Sequence, residues 1–261
     1  MVEEPFASGT SLLHRLDPRC KLPAALAAAM CIAPLSSPQA AFAALCGATC
    51  TILLAHLAPL ALLRRVAAVN IFIALLWLVL PFSTPGMPLP GTAQFPLVPT
   101  REGLTLALLL TLKSNAIILY FLALAATSGI TENGAALRSL GAPRKLTLLF
   151  LLTWRYLHVI GQEYSRLATA ARIRGFVPAS SRHTYRTSAN LAAMVLVRSW
   201  DRAERVNNAM RLRGFHGVFH SLSPRPFARG DAAVALLLAL PPVGCAVFDY
   251  LSRTTGGIFL P

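Results

Sequence analysis

Acidic residues are scarce in this 261-residue chain: 10 Asp and Glu stand against 24 Lys and Arg, for a formal net charge of +14. Charged residues make up only 13% of the chain, whereas 55% of it is hydrophobic. A soluble globular domain carries about 25% charged residues. The composition therefore excludes an ordinary water-soluble domain and predicts an all-α integral membrane protein whose positive charge is concentrated outside the lipid.

Sequence motifs of a self-contained catalyst are also missing. The chain has no G-x-x-x-x-G-K-[ST] loop to hold the phosphates of ATP, and no H-E-x-x-H or G-x-S-x-G motif. Its five cysteines are odd in number and spread through apolar runs, which excludes the framework of a disulfide-rich secreted domain. We therefore expect no catalytic residue, no bound metal and no cofactor in this chain.

Apolar runs account for most of the chain outside one segment. A membrane-spanning helix needs about 20 apolar residues, and five runs approach or exceed that length: 22–35, 40–63, 66–82, 104–127 and 232–251. The first run is short, contains Pro23 and ends at Pro34, which favours a tilted, partly embedded helix. Six prolines and no charge over 81–100 predict an extramembrane loop. The sequence thus predicts about five transmembrane helices.

The basic residues indicate which side of the membrane each loop occupies. Short loops rich in Lys and Arg stay in the cytoplasm, and Arg64 and Arg65 lie between the second and third runs. Residues 128–230 hold 16 of the 24 basic residues and only four acidic ones. We therefore predict membrane helices over 1–130, a cytoplasmic segment over 131–230 and a C-terminal membrane helix over 231–261.

Two long amphipathic helices are predicted within that cytoplasmic segment, over about 144–174 and 184–213. At 100° per residue, the apolar side chains fall on one side of each helix and the arginines on another. The first apolar face comprises Leu149, Phe150, Leu157, Ile160, Tyr164, Leu167 and Ala171, and the second comprises Leu196, Trp200, Ala203 and Met210. Asp201 and Arg205 are spaced for an i,i+4 ion pair.

One phrase closes both helices: ARIRGF at 171–176 returns as MRLRGF at 210–215, 39 positions later. Arginine in a last turn offsets the helix dipole, and the following glycine ends the helix, so capping alone explains part of each phrase. Capping requires neither a second arginine nor a phenylalanine after the glycine. We favour a pair of arginine pegs that dock in acidic grooves of a partner.

The candidate docking residues are the arginines, glycines and phenylalanines of the two phrases: Arg172, Arg174, Gly175 and Phe176 in the first, and Arg211, Arg213, Gly214 and Phe215 in the second.

Other readings of the sequence have less support. Clustered arginine also suits anionic lipid or nucleic acid, although its spread along helix faces argues against nucleic acid. Lys113 beside Asn115 in an apolar run is a candidate for intramembrane chemistry, with a packing or interfacial lysine as the alternative.

Cys46 with Cys50, and His216 with His220, are too few to form a metal site. Pro241 and Pro242 predict a kink in the last span, either fixed or hinged.

Taken together, LDPRCKL at 16–22, the proline-rich loop and the paired arginine-glycine helix ends resemble the T component (EcfT type) of energy-coupling factor transporters, most closely its cobalt/nickel branch, CbiQ. Ile173 and Leu212 stand where that family usually has alanine. The resemblance implies that Arg174 and Arg213 are the pegs and dock on two ATP-binding cassette ATPases. We expect Gly175 and Gly214 to be the turns that expose the pegs, Arg172 and Arg211 the flanking charges, and Phe176 and Phe215 the apolar anchors.

The same resemblance implies the rest of the assembly. The expected partners are the two ATPases, a substrate-binding membrane subunit (the S component) and the lipid bilayer, with no nucleic acid. It implies a multi-pass protein of the bacterial inner membrane without enzymatic activity of its own. Cobalt is the expected substrate, followed by nickel and then a vitamin.

Overall fold

A computed structural model describes residues 11–57, 59–87, 99–217 and 229–256. The regular elements of these residues are helices, which confirms the predicted all-α fold. In chain order they are α1 (Leu12–Arg15), α2 (Pro18–Ile32), α3 (Pro38–Ala55), α4 (Pro59–Ser83), α5 (Arg101–Leu124), α6 (Ile130–Ser139), α7 (Arg144–Ile173), α8 (Arg182–Leu212) and α9 (Arg229–Gly256).

Four helices among the described residues are long and apolar enough to cross a membrane: α3, α4, α5 and the Ala233–Ser252 part of α9. The short first run forms α2, which has 15 residues. At 1.5 Å per residue α2 is about 22 Å long, less than the ~30 Å of hydrocarbon in a bilayer. Four of the five apolar runs therefore contain helices of spanning length.

The break between the second and third apolar runs was predicted at the wrong place. The helix α3 ends at Ala55, His56 adopts a left-handed conformation with φ 48°, and α4 begins at Pro59. Arg64 and Arg65 consequently lie inside α4 rather than between two helices. Hydropathy missed this turn because the residues on either side of His56 are apolar, whereas proline at the first position of a helix marks it.

The predicted loop over 81–100 begins slightly too early. Residues 81–83 form the end of α4, and Thr100 caps α5 by accepting a hydrogen bond from the Gly103 amide at 3.3 Å. Residues 88–98 lie outside the described part of the chain.

Two compact units make up the described chain. The described residues between 11 and 136, together with 229–256, form the membrane unit, which contains the four spanning helices. Residues 137–217 form the hairpin unit, which contains α7 and α8.

Alanine dominates the interior of the membrane unit. Small side chains let helices approach closely, so van der Waals contact can hold them together in lipid. Fully or almost fully buried alanines include Ala28, Ala41, Ala44, Ala48, Ala116 and Ala123. A Cβ at Gly47 would lie 2.7 Å from Tyr120 Oη and 3.2 Å from Pro241 Cβ. Glycine is therefore needed where α3 approaches α5 and α9.

The two prolines of α9 lie differently: Pro242 is part of this interior, whereas Pro241 is exposed but packs against α3. Pro242 is fully buried, Pro241 lies against the Gly47 position, and α9 remains helical through both residues. This placement favours a packing role for Pro241 and Pro242 over a hinge.

Buried charges in the membrane unit have hydrogen-bond partners. The Lys21 ammonium donates to Ser128 Oγ at 2.9 Å and to Thr127 Oγ1 at 3.4 Å. The Asp249 carboxylate accepts from the backbone amides of Ser36 and Ser37, at 3.1 and 2.9 Å. These bonds tie α2 to the end of α5, and α9 to the start of α3.

Lys113 and Asn115 also have structural partners. Lys113 Nζ donates to the Ala33 carbonyl at 2.9 Å, next to the C-terminus of α2, where helix carbonyls lack partners within the helix. Asn115 exchanges two amide hydrogen bonds with Asn70 of α4, at 2.9 and 3.1 Å. These contacts favour the packing interpretation of Lys113 over intramembrane chemistry.

Candidate functional site: two arginine-glycine helix ends

The hairpin unit consists mainly of the two long helices that the sequence predicts. The observed bounds, Arg144–Ile173 and Arg182–Leu212, agree with the predicted 144–174 and 184–213 to within two residues. The helix α8 runs back along α7, because Phe176 contacts His183 near the turn and Glu163 contacts Arg198 farther along both helices. Each helix ends at one copy of the repeated phrase.

The first phrase ends α7 in a Schellman motif. Gly175 has φ +85°, a left-handed conformation that glycine adopts at little cost. The Gly175 amide donates to the Arg172 carbonyl and the Phe176 amide to the Ala171 carbonyl, both at 3.0 Å. The chain therefore turns sharply after Arg174 and leaves its side chain at the tip of the helix.

The second phrase repeats this geometry at the end of α8. Gly214 has φ +73°, its amide donates to the Arg211 carbonyl at 3.0 Å, and the Phe215 amide donates to the Met210 carbonyl at 3.0 Å. The Arg213 amide contacts two carbonyls at 3.1 and 3.3 Å, the same pair of distances as at Arg174. The two helix ends thus share one backbone hydrogen-bond pattern.

The arginines of both phrases are exposed. Within the described part of the chain, the side chains of Arg172, Arg174, Arg211 and Arg213 form neither an ion pair nor a hydrogen bond. Ile173 and Leu212, between the arginines, are 82% and 90% exposed. Each helix end therefore presents two guanidinium groups and an apolar side chain, which suits a carboxylate-bearing surface with an apolar rim.

The phenylalanine of each phrase is half-buried. The ring of Phe176 lies 6.3 Å from that of His183, centroid to centroid, at an interplanar angle of 58°. A groove of about 330 Å³ opens beside it, lined by Ala171, Arg174, Gly175, Phe176, His183, Thr187, Asn190, Leu191 and Met194. The first peg therefore lies at the edge of a partly apolar groove between α7 and α8.

One carboxylate links the two helices, and sequence reasoning missed it. Glu163 accepts a hydrogen bond from Arg198, and Arg202 and Arg166 each lie 4.0 Å away. Hydrogen bonding from Arg198, with the positive charges of all three arginines, holds the pKa of Glu163 below its usual range. Two signals were available: Glu163 is the one acid of α7, and Arg198 and Arg202 share a face of α8.

The i,i+4 pair proposed for Asp201 and Arg205 is not among the ion pairs of the described residues. Asp201 is exposed, although α8 has arginines within one turn of it. The acid that engages α8 arginines belongs to α7 instead.

Apolar side chains remain exposed along both long helices. Their exposed fractions run from 37% to 75% at Leu149, Leu157, Ile160, Tyr164, Leu196 and Trp200. Large apolar surfaces of this kind mark contacts with lipid or with another protein.

Among the described residues, no group of three or more His, Cys, Asp or Glu could hold a metal ion. Cys46 and Cys50 are exposed on α3, and His220 lies outside the described residues.

Comparison with known proteins identifies the family. The profile of the CbiQ family, described as cobalt transport protein, matches residues 9–224. The cobalt transport protein CbiQ of Rhodobacter capsulatus is 30% identical over 139 residues, 53% of this chain and 56% of that protein. An uncharacterized protein of Methanocaldococcus jannaschii is 28% identical over 153 residues, 59% of this chain and 56% of the relative.

The chain thus spans a little over half the length of these curated relatives. The family profile, by contrast, extends over most of the chain and includes both arginine-glycine helix ends. With its four apolar helices of spanning length, this chain is a multi-pass membrane protein that belongs to the CbiQ cobalt transport protein family.

Proposed function

We propose that this chain is the transmembrane coupling subunit of an energy-coupling factor importer. Arg174 and Arg213 dock on two ATP-binding cassette ATPases, and the hairpin unit passes their closing and opening motion to the membrane. The observation that carries this proposal is the shared geometry of the two helix ends, each with exposed guanidinium groups that form no ion pair with any described residue. A single cap needs no such duplication.

The source of energy follows from what the sequence lacks. Without a phosphate-binding loop the chain cannot bind ATP in the manner of an ATPase, so hydrolysis is assigned to the partners. Forked hydrogen bonds between guanidinium and carboxylate transmit force along a fixed direction, which suits a mechanical contact better than a lysine would. The chain itself has no catalytic role in this scheme.

The exposed apolar faces of α7 and α8 support the remaining partners. We assign these faces, which include Leu157 and Trp200, to the substrate-binding membrane subunit and the adjoining lipid of the bacterial inner membrane. We assign no nucleic-acid partner.

Cobalt ion is the proposed substrate. The assignment draws on the family description, with nickel and then a vitamin as the alternatives. We place the substrate site on the substrate-binding subunit rather than on this chain.

Charge reversal at the pegs tests the proposal. Arg174→Glu, Arg213→Glu and the double variant are co-expressed with the two ATPases, and co-purification and ATP hydrolysis are measured. Each single change is expected to weaken assembly roughly tenfold or more, because a docked carboxylate would then meet a like charge, and the double change to abolish it. Arg205→Glu, at an exposed arginine of α8 without a described ion pair, is the matched control.

The contrary result is equally clear. If the double variant assembles and stimulates hydrolysis as the control does, the phrases are helix caps and the coupling proposal fails. Circular dichroism of each purified variant shows that the helices remain intact.

A further inference from the structure

The two long helices of the hairpin unit meet at a single carboxylate. Glu163 is the one acidic residue of α7, and its side chain is only 13% exposed. Arg198 of α8 donates a hydrogen bond to it, and Arg202, one turn farther along, lies 4.0 Å away. Among the described residues, these ion pairs are the ones that join α7 to α8.

This meeting point falls at equivalent positions of the repeat. Glu163 and Arg202 are 39 positions apart, the same offset that separates Arg174 from Arg213. Each helix therefore runs 11 positions, from 163 to 174 and from 202 to 213, between the meeting point and its peg. At 1.5 Å per residue, each arm is about 16 Å long.

Electrostatics make Glu163 hard to replace at this point. Three guanidinium groups surround one carboxylate, and like charges would face one another if that carboxylate were lost. The neighbouring acids of α8, Asp201 and Glu204, are exposed and form no ion pair within the described residues. The surrounding sequence thus offers no substitute for Glu163.

We infer that Glu163 is a positioning residue: by holding α7 and α8 together midway between the two pegs, it sets the separation of Arg174 and Arg213. This inference rests on the proposed function, because the separation matters only when both pegs dock at once. Two linked contacts bind more tightly than either one alone only when the geometry allows both to form at the same time. A hairpin with a loose meeting point would still dock one peg but would transmit motion poorly.

The separation is measured first, without any partner. Spin labels are placed on cysteines at Ile173 and Leu212, which are equivalent residues of the repeat and are 82% and 90% exposed. The full-length protein is used in lipid nanodiscs, with the native cysteines replaced by alanine: Cys20, Cys31, Cys46, Cys50 and Cys245. Double electron–electron resonance then reports the distance distribution between the pegs.

Four proteins are compared in this measurement. The parent and the control Glu204→Gln are expected to give one narrow distribution. Glu163→Gln removes one negative charge, as the control does, but at the meeting point of the two helices. It is therefore expected to broaden the distance distribution or shift its mean. The exchange Glu163→Arg with Arg198→Glu is expected to restore the narrow distribution. A Glu163→Gln distribution that matches the control overturns the inference, as does an exchange variant that fails to recover.

Coupling is measured second, in liposomes that hold the full complex with both ATPases and the substrate-binding subunit. Glu163→Gln is expected to keep ATP hydrolysis while the cobalt taken up per ATP falls roughly tenfold, as expected when one of two linked contacts is lost. The exchange variant recovers the ratio. An unchanged ratio, or a loss of assembly that the exchange does not repair, overturns the positioning role.

The two measurements also separate this inference from the proposed function. The spin-label result involves no ATPase, so its failure refutes the role of Glu163 whatever the pegs do. If the pegs prove to be mere caps, the Arg174→Glu and Arg213→Glu variants reveal it while the spin-label result stands.

Discussion

The membrane unit and the hairpin unit are stabilised in opposite ways. The membrane unit has a continuous core of alanine, leucine and isoleucine, and its buried Lys21 and Asp249 are hydrogen-bonded within it. In α8, all of whose side chains are described, none is buried, and in α7 only Thr147 is buried. The hairpin helices are instead joined by a charge cluster and a few ring and apolar contacts.

This difference separates a unit with an internal core from a unit whose apolar and arginine side chains remain largely exposed. Apolar and arginine side chains that are exposed to water contribute little to stability. The same side chains contribute much more when another surface covers them. The comparison predicts that packing changes harm the membrane unit, whereas backbone and charge changes act on the hairpin unit.

The largest effect is expected from a methyl group in the membrane unit. Gly47→Ala places a Cβ 2.7 Å from Tyr120 Oη, in a site where Pro241 is also close, and overpacking of this kind costs about 1–3 kcal/mol. Thermal unfolding in detergent measures the loss. The matched change in the hairpin unit is Gly161→Ala, where nothing lies within 4 Å of the added atom.

Gly161→Ala should stabilise α7 by about 0.5–1 kcal/mol, because alanine is the better helix former. Equal melting temperatures for the two variants would erase the contrast between the units.

A smaller effect is expected at the two turns. Gly175→Ala and Gly214→Ala force a side chain into a left-handed conformation, which costs about 1–2 kcal/mol. In the described structure, nothing beyond the neighbouring residues of the chain lies within 4 Å of the added Cβ at either position. Hydrogen exchange should show fraying confined to the last turn of the altered helix, with the membrane unit unchanged. Protection lost throughout the protein would contradict the separation into two units.

The smallest effect is a response to pH in the hairpin unit. The folded protein lowers the pKa of Glu163, so the contribution of this carboxylate is complete above the ordinary value of about 4.3 and is lost as pH falls through the lower folded value. The distribution of distances between spin labels at positions 173 and 212 should therefore stay constant from about pH 8 to pH 5 and broaden only in stronger acid. In Glu163→Gln that acid-induced step should be absent.

The sequence predicted what local periodicity and charge determine. The ends of α7 and α8 follow from arginine, glycine and a 3.6-residue apolar repeat, all of which act within a few turns. The turn at His56 was missed because its neighbours are as apolar as the helices on either side. The candidate pegs were predicted from the repetition and from the family resemblance, and their shared hydrogen bonds became visible only in the structure.

Contacts between distant positions were beyond sequence reasoning. The bond from Lys113 to Ala33 and the pairing of Glu163 with Arg198 depend on which helices pack together. Inspection of a single sequence does not reveal which helices these are. Asp201 and Arg205 were proposed as a pair because i,i+3 and i,i+4 spacings are the pairings that a single helix reveals. In the structure, the arginines of α8 instead form ion pairs with a carboxylate of the other helix.

The alanine-rich interior of the membrane unit affects how that unit can move. An alanine side chain has no rotamers, so burying it costs no side-chain conformational entropy. Helices joined by such residues can slide past one another without the concerted side-chain flips that interlocked leucines would require. Resistance to shear in the membrane unit then comes chiefly from polar ties between its helices, such as those of Lys21, Asp249, Lys113 and Asn115, rather than from its packing.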